Sequence, residues 1–200
     1  MLAPLDFYFD FASPYGYFAS LDIDGIAARH GRLVEWHPIM LGAAFKLTGA
    51  KPLAETPLKS DYFRRDVERS ARLLATPVKL PPVMPMNSLA ASRACYWIKG
   101  RDPSMFKPLA KMLYQAHWGA GRDLSAPESV AEIADLLTIE PSDLLAGIQD
   151  PAIKQVLRDE TEAAVQRGVF GSPFVFAEGE PFWGHDRLSQ IDRWLQTGGW

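Results

Sequence analysis

The sequence predicts an α/β domain whose small strand-bearing core is interrupted by a long helical insertion. Aromatic-rich strand patterns stand near both ends of the chain, at Leu5–Phe11 and Ser172–Trp183. The stretch between them reads as helices and turns, without strand-like alternation. Hydrophobic residues make up 48% and charged residues 22% of the 200 positions, enough apolar material to fill a core.

Taking the elements in order, Phe7, Phe9 and Phe11 alternate with Tyr8 and Asp10 as a strand does, and Ala12-Ser13-Pro14 breaks the pattern. From Pro14 the apolar positions Phe18, Leu21, Gly25 and Ala28 step by three and four, and Gly31 follows as a helix stop. Pro14 suits a first helical turn, where its missing N–H had no partner, so Ser13 is the expected N-cap. A second strand runs from Leu33 to His37, ended by Pro38, and the β-α-β order predicts parallel strands with a right-handed crossover. Residues 42–85 mix prolines, glycines and basic side chains, with one helical stretch over Lys59–Leu74. Helices are expected over Asn87–Ile98, with Asn87 as cap, and over Phe106–Trp118. Another follows the capping-box spacing Ser125-Ala-Pro-Glu128, one opens at Pro141, and one around Ile153–Ala164 closes at Gly168. Ser172–Phe176, a turn at 177–180 and Pro181–Trp183 form a hairpin pattern. His185–Gln196 is a final helix, with Leu188, Ile191, Trp194 and Leu195 inward. The order βαβ, helical insertion, ββα is that of a thioredoxin-like core, residues 1–42 and 166–200, interrupted by a helical subdomain, 43–165.

Several function classes lose support at once. Lys and Arg number 21 against 24 Asp and Glu, a net charge of −3, so no global attraction draws the chain to nucleic acid or anionic lipid. No apolar run reaches the roughly 18–20 residues of a membrane helix. The N-terminal MLAPLDFYFDF lacks a basic leader and carries acids within its apolar stretch, unlike a signal peptide. The single cysteine, Cys95, excludes an intramolecular disulfide and an all-thiolate metal site, and a reducing cytoplasm is the expected setting. Cys95 lies on a predicted helix, as a packed core residue. His30, His37, His117 and His185 show no metal-ligand spacing, so no metal is expected.

Three segments can carry chemistry. Ser13-Pro14-Tyr15-Gly16 stands where thioredoxin-like oxidoreductases carry Cys-x-x-Cys. With Ser first and Gly fourth, this motif cannot perform thiol–disulfide exchange. What remains is a hydroxyl at a helix N-terminus with free N–H groups and partial positive charge, suited to a borrowed thiolate. Ser13 as a plain N-cap is the simpler alternative. Gly171-Ser172-Pro173-Phe174 places a proline at a strand start. In a thioredoxin-like core that proline is cis, and the backbone of Ser172 faces an extended peptide ligand. An ordinary trans proline is the alternative. In Trp183-Gly184-His185-Asp186-Arg187, Asp186 is either the cap of the last helix or the receiver of a ligand ammonium.

These segments resemble the 2-hydroxychromene-2-carboxylate isomerases, relatives of kappa-class glutathione transferases and DsbA-type oxidoreductases. The resemblance is carried by Asp10-Phe-Ala-Ser-Pro-Tyr15, Leu41-Gly-Ala-Ala-Phe-Lys46, Lys59 with Tyr62, Pro85-Met-Asn-Ser88, Gly168-Val-Phe-Gly-Ser-Pro173 and Trp183–Arg187, in order along nearly the whole chain. It implies glutathione as cofactor and an aromatic small-molecule substrate in aromatic hydrocarbon catabolism, and it implies a homodimer. By the same resemblance Ser13 bonds the glutathione sulfur as the catalytic residue. Ser172 pairs with its cysteinyl backbone, His185 and Asp186 hold its γ-glutamyl end, Lys59 is the candidate for its glycyl carboxylate, and Pro173, Trp183 and Gly184 complete the cofactor-binding set. Tyr15 lies in the pocket and Lys46 meets the substrate carboxylate, although Lys46, Lys51 and Lys59 read equally as solvated surface charges. The implied chemistry is cis–trans isomerisation: a thiolate adds to a conjugated enone, the bond rotates, and the thiolate leaves. Ala50 departs from the pattern, where the family commonly has Asn. Two alternatives stay open: a kappa-like transferase conjugating electrophiles, and a thioredoxin-like module that binds peptides without chemistry.

Overall fold

The computed structural model describes residues 2–200. Strand β1 (Leu5–Phe9), helix α1 (Pro14–Arg29) and strand β2 (Val34–Pro38) form the opening βαβ unit, with β1 and β2 parallel and Phe7 opposite Trp36. Strand β3 (Phe174–Ala177) returns antiparallel to β1, and β4 (Glu180–Trp183) pairs antiparallel with β3. The sheet order is β2-β1-β3-β4. Alternation along β1 decides what covers each face. Phe7 and Phe9 pack with Phe18, Ile23 and Trp36 on the α1 side, whereas Tyr8 packs with Ile39, Ala164, Phe174 and Phe176 on the other.

Between the two halves of the sheet lie α2 (Leu41–Thr48), α3 (Lys59–Leu73), α4 (Leu89–Arg101), α5 (Pro103–Tyr114), α6 (Pro127–Asp135), α7 (Pro141–Gly147) and α8 (Pro151–Gln166). Helix α9 (Leu188–Thr197) closes the chain. Proline occupies the first turn of α1, α5, α6, α7 and α8, where no hydrogen bond is lost. Asp102 and Asp150 accept from Ser104 N–H at 3.0 Å and Ala152 N–H at 2.8 Å, starting α5 and α8. The inserted helices share the core of the sheet: Leu109, Leu113, Tyr114 and Val130 belong to the cluster that contains Phe7 and Phe9. Cys95 is fully buried in that cluster, and burial pushes its thiol well above the usual range.

Differences from the sequence expectations have local causes. β1 ends at Phe9, because Asp10 turns the chain; Phe11 is nonetheless buried, against the Tyr114 ring. Helix α2 falls in a stretch read as irregular. It forms because Leu41 and Ala44 bury themselves, and Leu41 N–H finds the Asp10 carboxylate at 2.8 Å. The capping box at Ser125 does not form: Ala126 precedes α6, and Ser125 Oγ accepts Asn87 N–H at 3.2 Å instead. Ser88, not Asn87, is the residue before α4; Asn87 Oδ1 accepts Leu89 N–H at 3.2 Å. α5 starts earlier than expected, at Pro103, and passes into a π-helical turn over Gln115–Gly119. In α9 only Ile191 is fully buried, with Leu188, Trp194 and Leu195 partly covered. Among the described residues no helix is long and apolar enough to cross a membrane.

Tyr96 of α4 donates its hydroxyl to Pro38 O at 2.9 Å, a buried bond from the inserted helices to the end of β2. Tyr96→Phe leaves that carbonyl unpaired and should cost about 1–3 kcal/mol in chemical denaturation. An unchanged denaturation midpoint would show that the bond adds nothing.

Candidate active site

The site is built where β1 hands over to α1. Asp10 O accepts Ser13 N–H at 2.9 Å, closing the turn. The Ser13 side chain then does two things. Its Oγ accepts Gly16 N–H at 3.2 Å, capping α1, and donates to Ser172 O at 2.7 Å. Ser172 replies by accepting Asp10 N–H on its own Oγ at 3.0 Å. The Ser172–Pro173 peptide bond is cis, as expected. Pro173 O accepts Gly184 N–H at 3.1 Å, which brings the turn after β4 to the same place. Ser13 and Ser172 are buried. Of the first-turn donors of α1, Pro14 has none and Gly16 N–H and Tyr17 N–H go to Ser13. Tyr15 N–H is the donor that no described hydrogen bond uses.

Tyr15, Phe63, Asp66 and His185 form the second wall. The Tyr15 ring stacks on His185 with centroids 5.2 Å apart and planes within 13°, and Phe63 meets its edge at 6.2 Å. Tyr15 Oη donates to Asp66 Oδ2 at 2.7 Å, and Asp66 also pairs with Arg69. Burial pushes the Asp66 carboxyl up, but the hydrogen bonds from Tyr15 and Arg69 outweigh it and hold the group below the usual range. Burial, then Asp66, push the Tyr15 phenol far above its usual range, so it stays protonated. Burial lowers His185 despite the nearby charges of Asp186 and Asp66, favouring a neutral ring.

The other expected residues divide. Lys59 is exposed at the start of α3, at helical spacing from Phe63 and Asp66, and no described contact joins it to Ser13 or Ser172. Trp183 backs onto the site: its indole occupies the space a side chain on Gly171 would fill, and its ring meets Phe170 at 4.8 Å. Gly184 takes φ 106°, which favours glycine. Asp186 is exposed, 3.6 Å from Arg187, and caps no helix. Lys46 is exposed in the last turn of α2, and no described contact joins it to Ser13. Ala50 lies just beyond, exposed, its N–H on Thr48 Oγ1 at 3.4 Å. No group of three or more His, Cys, Asp or Glu able to hold a metal occurs among the described residues.

Three residues escaped the sequence reading. The Asp10 carboxyl, almost fully buried, accepts Ala12 N–H at 2.9 Å and Leu41 N–H at 2.8 Å. Burial pushes it up, against the pull of Ser88 and these two donors. Tyr114, from the end of α5, donates to Asp10 O at 3.1 Å. Asp66 had one faint signal, its helical spacing from Lys59; Tyr114 had none, because it arrives from 104 residues away.

Against known proteins, the model of the DSBA-like thioredoxin domain matches residues 4–196. The chain belongs to that family. It is 28% identical over 197 residues to a 2-hydroxychromene-2-carboxylate isomerase of Sphingobium xenophagum, covering 98% of this chain and 99% of the relative. It is 27% identical over 206 residues to glutathione S-transferase kappa 2 of Caenorhabditis elegans, covering 94% and 90%. A solved 2-hydroxychromene-2-carboxylate isomerase superposes with a TM-score of 0.88 at 25% identity, covering 98% of this chain and 95% of that one. Within this DSBA-like family, then, full-length relatives include isomerases and kappa transferases, and the thioredoxin-like α/β core with inserted helices is the shared fold.

The geometry carries two expected outcomes. A methyl group on Gly16 would overlap Tyr114 Oη and lie 2.8 Å from Ser172 Oγ, so Gly16→Ala should lower stability by about 1–3 kcal/mol in denaturant titrations. A tolerated alanine would mean the site has slack that the packing denies. His185 and His117 both have folded pKa values below 6.5, each chiefly through burial. The unfolded chain therefore binds more protons there, and stability is full above 6.5 and falls as pH drops through the folded values. His185→Gln should flatten that fall in melts carried out below pH 6.5; an unaltered slope would show that His185 is not one of its sources.

Proposed function

We propose that this chain binds glutathione and is a glutathione-dependent cis–trans isomerase, converting 2-hydroxychromene-2-carboxylate-type compounds to trans-o-hydroxybenzylidenepyruvate-type products. The observation that carries the reading is Ser13 Oγ, held at the N-terminus of α1 and 2.7 Å from Ser172 O. The similarity to isomerases over nearly the full chain supports it. So does the likeness to a protein named for glutathione. The polar groups fit a cysteine-containing peptide: a hydroxyl and a helix end as donors to sulfur, and the Ser172 carbonyl as acceptor for an amide.

Glutathione, when bound, supplies a thiolate nucleophile for the conjugated double bond that must rotate. The chain's own residues bind and orient. The Ser13 hydroxyl turns from Ser172 O to the sulfur, joined by Tyr15 N–H and the positive end of α1, which favours the ionised form. Ser172 O, released, accepts the cysteinyl N–H, with Pro173 flanking it. Trp183, Gly184 and His185 border the γ-glutamyl end, and the exposed Asp186 carboxylate takes its ammonium. Lys59 meets the glycyl carboxylate. The Tyr15 ring lies beside the substrate and Lys46 meets its carboxylate. A homodimer in the cytoplasm, serving aromatic hydrocarbon catabolism, belongs to the same reading.

The test is a glutathione titration across pH, followed by the ultraviolet absorbance of the thiolate. Thiolate should form below the roughly 8.5 of a free cysteine thiol. Ser13→Ala should move that ionisation up and cut chromene isomerisation by about 10²-fold. Absent binding, or an unshifted thiol, overturns the proposal. A stable haloarene adduct without isomerisation would assign a transferase, and binding of unrelated peptides without glutathione a passive module.

A further inference from the structure

Gly16 holds the fourth place of the Ser13-Pro14-Tyr15-Gly16 turn, and the space beside its Cα is not empty. The Tyr114 hydroxyl fills it, delivered from α5, with Ser172 Oγ on its flank. Tyr114 is fully buried. Its hydroxyl donates to Asp10 O at 3.1 Å and stands with Ser172 Oγ against the same face of Gly16. Asp10 N–H in turn donates to Ser172 Oγ at 3.0 Å. Two hydrogen bonds thus run through one residue's backbone, from Tyr114 Oη to Asp10 O and from Asp10 N–H to Ser172 Oγ.

When a ligand turns the Ser13 hydroxyl away, the Ser172 carbonyl loses its partner at 2.7 Å and must present itself to an incoming amide. The Ser172 side chain, bonded to the Asp10 N–H whose residue Tyr114 holds, keeps Ser172 in place through that exchange. The Tyr114 hydroxyl bonds Asp10 O and no first-turn N–H of α1 among the described hydrogen bonds, so its influence falls on the peptide end of a ligand rather than on the sulfur.

We infer that Tyr114 is a positioning residue of the glutathione site: its hydroxyl, by fixing the Asp10 backbone whose N–H bonds Ser172 Oγ, holds the Ser172 carbonyl for the cysteinyl amide of the bound peptide. The inference rests on the glutathione reading above and adds a residue that contacts neither substrate nor cofactor. Its effect is on affinity, not on thiol acidity.

The test uses Tyr114→Phe and Ser172→Ala in the full chain, each checked for folding by thermal melting. Glutathione affinity is read by calorimetry and thiol ionisation by thiolate absorbance. Tyr114→Phe should weaken glutathione binding about 3–10-fold, the effect of one hydrogen bond, with the pH of thiol ionisation unmoved. Ser172→Ala should do the same, and the double variant should be no worse than either single one, since both break the one chain of bonds from Tyr114 through Asp10 to Ser172. Should Tyr114→Phe not fold, Ser172→Ala carries the same two readouts. Unchanged affinity in these variants, additive losses, or a shift in thiol ionisation overturns the inference while leaving the glutathione reading intact. Failure of the unaltered protein to bind glutathione overturns both.

Discussion

Two hydrogen bonds hold the reactive end of α1 against the C-terminal hairpin: Ser13 Oγ to Ser172 O, and Asp10 N–H to Ser172 Oγ, between residues 159 and 162 positions apart. Everything at the site is arranged around this closure. It brings a helix N-terminus, a hydroxyl and the carbonyl before a cis proline to one point, from segments that flank the whole insertion. Loop-closure entropy rises only with the logarithm of loop length, so the long insertion adds little to the cost of bringing the ends together. The β1–β3 pairing, with Phe7 opposite Val175, fixes the register in which the two serines meet.

The inserted helices complete this closure and do not merely interrupt the core. Tyr114 and Trp118 stand at the junction of α5 and the π turn and both donate to the β1–α1 connection, Tyr114 to Asp10 O and Trp118 Nε1 to Phe11 O at 2.9 Å. Local π-helical bulges are common near functional sites because they re-aim side chains without breaking the helix. Here the turn leaves Tyr114 Oη beside Gly16 while His117, the middle residue of the π turn, bonds to Arg122 O at 2.7 Å. From the other side α3 presents Asp66 to Tyr15. The site is therefore walled by two inserted helices and floored by the core.

What was legible in the sequence follows the range of the forces involved. Ser13 and Pro14 announce a helix start through local chemistry, and the structure keeps them in those roles. The alternation of β1 and the hairpin after Gly171 are likewise local, and the motif order conveyed the fold. Helix α2 was hidden because its first N–H is satisfied by Asp10, 31 residues earlier, and not by a neighbouring cap. The Ser125 capping box misled for the converse reason: a suitable local partner was available, but Asn87 N–H claimed the hydroxyl from 38 residues away. Gly16 was readable only as the absence of a cysteine. That it must be small is a fact about Tyr114, which no spacing in the sequence places there.

The closure also bears on which form of a sulfur ligand the site selects. Ser13 Oγ has a single proton, and that proton already has a good acceptor in Ser172 O at 2.7 Å. A neutral thiol sulfur is a weak acceptor, so turning toward it would exchange a strong bond for a poor one. A thiolate offers a charge-assisted bond roughly twice as strong as a neutral one, together with attraction to the end of α1. The exchange is then favourable only for the anion, and the carbonyl it releases is at once available to the cysteinyl amide. The pre-formed Ser13–Ser172 bond is a fixed cost to any ligand that displaces it, so the preference for thiolate over thiol comes from the charge-assisted bond and the helix end, not from that cost. In the proposed glutathione complex, the interaction that holds the fold together at this point is the same one whose replacement activates the nucleophile.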